Sequence, residues 1–205
     1  MSTAHDLTTA LRERMFELGR AARAASAVLA QASSAAKRGA LEAAAAELRN
    51  ARSAVLRANA EDLAEAKARN LGGAMLDRLA LDDKRLEATA VGLETVAALE
   101  DPVGQVMATW QRPNGLTISR VRVPLGVIGI IYESRPNVTA DAAALCVKSG
   151  NAAILRGGSE SVRSNAAIHG CLARALRQQG LPETAVQLVP TKDRFHPKNE
   201  PIDGL

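Results

Sequence analysis

Aromatic side chains are scarce: Phe, Trp and Tyr make up 2% of the 205 residues, at Phe16, Trp110, Tyr132 and Phe195. A groove that stacks unpaired bases needs several aromatic faces, so single-stranded nucleic acid is excluded as a partner. A dominant charge sign is also lacking. Lys and Arg number 26 against 22 Asp and Glu, a net charge of +4, which describes a mixed surface and not a nucleic-acid stripe. Cysteine is limited to Cys146 and Cys171, with no CxxC and no metal-ligand spacing. That excludes a disulfide framework and predicts a reduced, cytoplasmic protein in which both thiols are buried packing residues. No run of eighteen apolar residues occurs, and the first residues have no signal-type apolar stretch, so no membrane association is expected. GxGxxG and Walker A motifs are absent as well.

Alanine, by contrast, is over-used, above all before position 100. With 47% hydrophobic and 23% charged residues the composition is that of an ordinary globular protein, sized for one domain or two small ones. Residues 1–101 read as helices. The first is expected over about 6–36, capped by Thr8 or Thr9, with Leu7, Leu11, Met15, Leu18, Ala22 and Ala25 at helical spacing. A second follows Gly39 and stops at Asn70-Leu71-Gly72-Gly73, and a third covers 83–99 before Asp101-Pro102.

After Pro102 the pattern changes. Residues 116–123 alternate apolar and polar, as a half-buried strand does, after a turn at Pro113-Asn114-Gly115. Residues 127–132 are a continuous β-branched run of the kind buried on both faces of a parallel sheet. A helix over 139–148, a strand over 152–156, a helix over 161–179 and a strand over 186–189 complete a β-α-β-α-β order, the signature of an open parallel α/β sheet. Ligands of such sheets bind beyond the carboxyl ends of the strands. Two loops fall there, Glu133 to Asn137 and Gly157 to Glu160, and the second offers two glycines and a serine before a helix, a weak phosphate-binding signal. His169 falls on the apolar face of its helix and reads as a core or boundary residue.

The segments Tyr132-Glu133-Ser134-Arg135-Pro136-Asn137, Lys148-Ser149-Gly150-Asn151-Ala152 and Leu155-Arg156-Gly157-Gly158-Ser159-Glu160, in this register, carry more. Together they resemble the gamma-glutamyl phosphate reductase (glutamate-5-semialdehyde dehydrogenase) family of the aldehyde dehydrogenase superfamily, over nearly the whole chain to about Arg194. The resemblance implies an aldehyde dehydrogenase-like α/β fold with an N-terminal helical region (1–101), a Rossmann-like nucleotide-binding region (102–194) bearing an oligomerisation strand near 116–123, and a divergent tail (195–205). It implies NADPH-dependent reduction of gamma-glutamyl phosphate to the semialdehyde with release of phosphate, in proline biosynthesis. Glutamate 5-kinase is the implied upstream partner and a homo-oligomer the implied assembly.

By the same resemblance Arg156, Gly157, Gly158, Ser159 and Glu160 lie beside the adenine ribose of NADPH, with Arg156 suited to the 2′-phosphate. Ser134, Arg135 and Asn137 belong to the loop beside the reacting carbonyl, Arg135 anchoring the acyl phosphate or the substrate carboxylate. The oxyanion-donor position of many relatives falls nearer Glu133 than Asn137. Family chemistry runs through a cysteine thiolate that attacks the acyl phosphate to give a thioester. Neither Cys146 nor Cys171 matches that nucleophile, which lies in the second half of the family's sequence. The expectation is therefore a chain cut short before the catalytic cysteine and inactive alone; the alternative is a non-catalytic nucleotide-binding or assembly module.

Overall fold

Ser33 ends the first helix earlier than its apolar spacing suggests. The computed structural model describes residues 4–189, with side chains from residue 10 onward. The expected tail at 195–205 lies outside the described residues. Helix α1 covers Ala4–Gln31 and α2 covers Ser34–Asn50, and the Ser33 hydroxyl accepts the Ala36 amide at 3.1 Å between them. An N-cap of this kind restarts a helix in a new direction. Helix α1 begins before Thr8 and Thr9, so neither caps it. Of its predicted apolar positions Ala22 and Ala25 are buried, whereas Met15 is exposed. The alanine-rich second run is two helices, α2 and α3 (Arg52–Ala68), broken at Ala51. A short helix α4 (Gly73–Leu79) follows the expected stop, and α5 runs Asp83–Ala98 with Asp82 capping Arg85.

A two-stranded antiparallel ribbon comes next, β1 (Val106–Gln111) with β2 (Thr117–Val121). Its turn carries Gly115 at φ +84, a backbone that glycine adopts without cost. Strand β1 is additional to the predicted elements. The ribbon is exposed on nearly every residue, so β2 is not half-buried: among the described residues its only strand neighbour is β1.

The chain then builds β3 (Val127–Ile131), α6 (Val138–Lys148), β4 (Ala152–Arg156), α7 (Val162–Gln178) and β5 (Val186–Leu188). All three strands are parallel, in the order β3-β4-β5. Alternation sorts the faces of the sheet. The Gln187 amide donates to the Leu18 carbonyl at 2.8 Å, so α1 covers the face of Gln187 and its neighbour Ile154. Ala153, Leu155 and Val186 point the other way, into a core shared with α6, α7, α2 and α5. Ala40, Ala44 and Ala45 of α2 lie in that core beside Leu48, Leu93 and Leu176, where small side chains let helices approach closely. Lys37, fully buried, is neutralised by Asp101 at 2.7 Å, and the buried Lys148 ammonium donates to the Ala97 carbonyl at 2.8 Å.

One expectation is corrected here. Strand β3 is not buried on both faces: Val127 is 38% and Ile131 77% exposed. Among the described residues it sits at the edge of the sheet, paired on one side alone, and of its residues Ile128 and Ile130 pack against the core.

Candidate functional site

Both predicted loops emerge at the carboxyl ends of adjacent parallel strands, where β3 and β4 place them side by side. The Tyr132 amide donates to the Arg156 carbonyl at 3.0 Å, so pairing continues one residue past the sheet. Beyond it the loops are tied by a carboxylate. Glu160 Oε1 accepts both the Ser134 amide, at 2.9 Å, and the Ser134 hydroxyl, at 2.6 Å. Ser134 sits at φ +43, a left-handed backbone costing a residue with a Cβ about 1 kcal/mol or more, and these two bonds hold it there. Desolvation would raise the Glu160 carboxyl, but the Ser134 hydroxyl and amide, its own amide and the Ser159 hydroxyl outweigh it, leaving it below the ordinary glutamate range. Glu160 is therefore an anion at neutral pH.

The glycines of this loop serve contacts within the molecule. A Cβ on Gly158 would stand 2.0 Å from a Glu160 carboxylate oxygen, and one on Gly157 would stand 2.0 Å from the Asn165 amide nitrogen. That amide joins a buried chain: Asn165 donates to Ser161 Oγ at 3.0 Å and accepts from Thr139 Oγ1 at 3.1 Å, which meets the Tyr132 hydroxyl at 2.7 Å. The N-terminus of α7 is also in use. Buried Asp62 of α3 accepts the Ser164 amide at 2.8 Å, its hydroxyl at 2.7 Å and the Arg163 amide at 3.3 Å. Asp62 thereby takes the Arg163 and Ser164 amides of the first turn of α7. The loop also presents Arg156, the Ser159 hydroxyl, which donates to Glu160 Oε2 at 3.4 Å, and the ionised Glu160. Arg156 is half-buried at the last position of β4 and already has interactions of its own.

The three residues expected in the first loop part company. Ser134 turns inward to Glu160, while Arg135 and Asn137 line a cleft of about 350 Å³ with Asp77 and Arg78 of α4, Arg85 of α5 and Asp141 of α6. Asn137 donates to Asp141 Oδ2 at 2.9 Å. Burial pushes the Asp141 carboxyl up, and the Asn137 amide opposes that only in part.

Neither thiol belongs to this site. Cys146 of α6 and Cys171 of α7 are buried. Burial pushes the Cys146 thiol up to about 11. It raises the Cys171 thiol too, against the charge of Arg174. His169 Nε2 lies 2.9 Å from the Val186 carbonyl and ties α7 to β5. Among the described residues no three of His, Cys, Asp and Glu gather as a metal site, and no helix is long and apolar enough to cross a membrane. Sequence reasoning missed Asp62 and Asn59, whose side chains join α3 to Ser164 and to the Leu79 carbonyl. In sequence both look like solvent-facing helix positions. Tyr132, the chain's one tyrosine, at a strand end, was the visible signal for the Thr139–Asn165 network.

Comparison with known proteins places this geometry. The profile of the Aldehyde dehydrogenase family matches residues 4–196. A gamma-glutamyl phosphate reductase of Rhodospirillum rubrum is 62% identical over 180 residues, 88% of this chain and 42% of that protein. The crystal structure of a gamma-glutamyl phosphate reductase from Thermotoga maritima superposes with a TM-score of 0.85 at 44% identity, covering 87% of this chain and 43% of that one. One from Saccharomyces cerevisiae gives 0.82 at 37%, covering 86% and 46%. The chain thus spans less than half the length of these relatives. With its parallel sheet, strand-end loops and matched sequence, the chain belongs to the aldehyde dehydrogenase family.

Proposed function

We propose that the chain supplies the N-terminal, cofactor-side half of a gamma-glutamyl phosphate reductase, which reduces gamma-glutamyl phosphate to glutamate 5-semialdehyde with NADPH and releases phosphate, in cytoplasmic proline formation. The observation that carries this is the 62% identity to a relative of that name, because an overlap of 180 of the 205 residues takes in both strand-end loops. In this reading residues 1–101 form a helical region and 102–194 a nucleotide-binding region. The ribbon near 116–123 joins copies of the chain in a homo-oligomer. The upstream partner is glutamate 5-kinase.

Arg156, Ser159 and Glu160 hold the adenosine end of the cofactor, and Gly157 and Gly158 keep the loop thin enough for the Glu160 and Asn165 side chains to brace it. The bound cofactor supplies the hydride. Glu160 also sets Ser134, and so fixes where Arg135 and Asn137 leave the loop toward the substrate. The 205 residues alone do not turn over, since acyl transfer needs an accessible thiolate and both thiols are buried with raised pKa values. That same observation favours a second reading, a non-catalytic nucleotide-binding module.

Arg156→Ala tests the cofactor assignment. NADPH affinity of the chain should fall about tenfold or more, the value of a charge-assisted contact of about 1.5–3 kcal/mol, while NADH affinity changes little. Equal losses for the two cofactors would remove Arg156 from the 2′-phosphate. Absence of binding to either would overturn the cofactor-side reading.

A further inference from the structure

The cleft between the Arg135–Asn137 segment and the α4–α5 corner is lined by charges of both signs. Its cations are not alike. Arg85 is committed to the fold: its guanidinium donates to Asp77 Oδ1 at 2.7 Å and to the Ala80 carbonyl at 2.9 Å, fixing α4 against α5. The guanidinium groups of Arg78 and Arg135 have no hydrogen bond or ion pair among the described residues. On the opposite wall Asp141 gives one oxygen to Asn137. Its other oxygen, Oδ1, has no such partner, and since no buried side-chain oxygen is unsatisfied, Oδ1 meets solvent. An anion-only ligand would face Asp77 and Asp141, and a cation-only ligand would face Arg78 and Arg135. A small zwitterion satisfies both walls.

The geometry points to this cleft as the site for the α-carboxylate and α-ammonium of a glutamyl substrate, Arg135 and Arg78 taking the carboxylate and Asp141 the ammonium. The assignment rests on the reductase reading above and deepens it, drawing the helical corner of α4 and α5 into substrate recognition. The cleft adjoins the loop that Glu160 holds, so a substrate anchored by its α-groups extends its γ-carbonyl along that loop. Asn137 is a positioning residue: its amide keeps Asp141 Oδ2 occupied and leaves Oδ1, which lies beside Gly92 of α5, without a hydrogen bond among the described residues.

Titration calorimetry of the 205-residue chain with three small probes tests this. L-Glutamate carries both α-groups, glutarate lacks the ammonium and 4-aminobutyrate lacks the α-carboxylate. L-Glutamate should bind about tenfold tighter than either, one charge-assisted contact being lost in each analogue. Arg135→Gln and Arg78→Gln should weaken L-glutamate and glutarate. Asp141→Asn, which keeps the side-chain shape, should weaken L-glutamate and leave glutarate unchanged. Glutarate binding as tightly as L-glutamate, or no L-glutamate binding, overturns the assignment. So does Asp141→Asn weakening both probes equally. NADPH titration of the same variants separates the two readings. NADPH binding without L-glutamate binding overturns the cleft alone. The expected L-glutamate pattern without NADPH binding supports the cleft and breaks the cofactor-side reading.

Discussion

Strands β3 and β4 pair over five residues in parallel register, and both read in sequence as short apolar runs. Their surroundings differ. Strand β4 has a strand on each side, α1 across one face and α6 against it, and Ala152, Ala153 and Leu155 are fully buried. Strand β3 has one strand neighbour among the described residues, and Ile131 is exposed, as are Val123 and Leu125 just before the strand. An apolar β-branched run states what a strand can bury, while neighbours decide what it does bury. An edge with apolar side chains is also a template for further pairing, which ordinary proteins blunt with charge or cover.

The largest expected effect breaks or confirms that contrast. Leu93→Ala, in the fully buried core of α5, should cost about 2–5 kcal/mol in urea denaturation. Ile131→Ala removes an isomeric side chain from the exposed edge and should change stability by less than about 0.5 kcal/mol. Comparable losses would mean that β3 is covered in solution, and the contrast would fall.

A second comparison lies within the site, where Ser134 turns into the protein and Arg135 out of it. Glu160→Ala removes the acceptor of the Ser134 amide and hydroxyl and should cost about 1–3 kcal/mol; Glu160→Gln keeps one acceptor oxygen and should cost less. The pH dependence has a definite sign. The folded Glu160 carboxyl lies below its unfolded value of about 4.3, so its contribution is complete above that pH and is lost as pH falls through the folded value. Asp101, held low by Lys37 against desolvation, follows the same sign, and Asp141, pushed up by burial, the opposite one. The difference between wild type and Glu160→Gln cancels both and should shrink below about pH 4. A difference that stays constant down to pH 3 would remove the charge of Glu160 from the tie between the loops.

The β-α-β-α-β order was legible because each strand and helix is a contiguous local pattern, and with it the two loops at the strand ends. What stayed hidden depends on long range or on a single dihedral. Asp62 caps a helix 102 residues away, and nothing local marks it. Strand β1 mixes Met, Ala and Gln and becomes a strand only through β2. Ser134, Arg135 and Asn137 looked like one functional set, yet the left-handed backbone at Ser134 sends its side chain to Glu160 and the other two toward α4 and α5. The cleft joins Arg78 to Asp141 across 63 positions, which no spacing rule captures.

The smallest expected effect concerns the thiols, which belong to the buried side of the contrast. Cys146, its thiol near 11, and the fully buried Cys171 should resist an aromatic disulfide reagent at pH 8 in the native chain and react as two thiols in urea. Three pH units below that value, roughly one Cys146 in a thousand is thiolate, and burial blocks access even then. The linkage runs opposite to that of Glu160. Both folded thiol values lie above the unfolded one of about 8.5, so folding favours the neutral thiol and stability falls as pH rises past 8.5, where the unfolded chain ionises first. Replacing both cysteines with alanine should flatten that alkaline slope while costing cavity energy at every pH. Rapid labelling of one thiol in the folded chain at pH 8 would show an accessible thiolate, removing that residue from the buried core and with it the argument that these 205 residues hold no nucleophile.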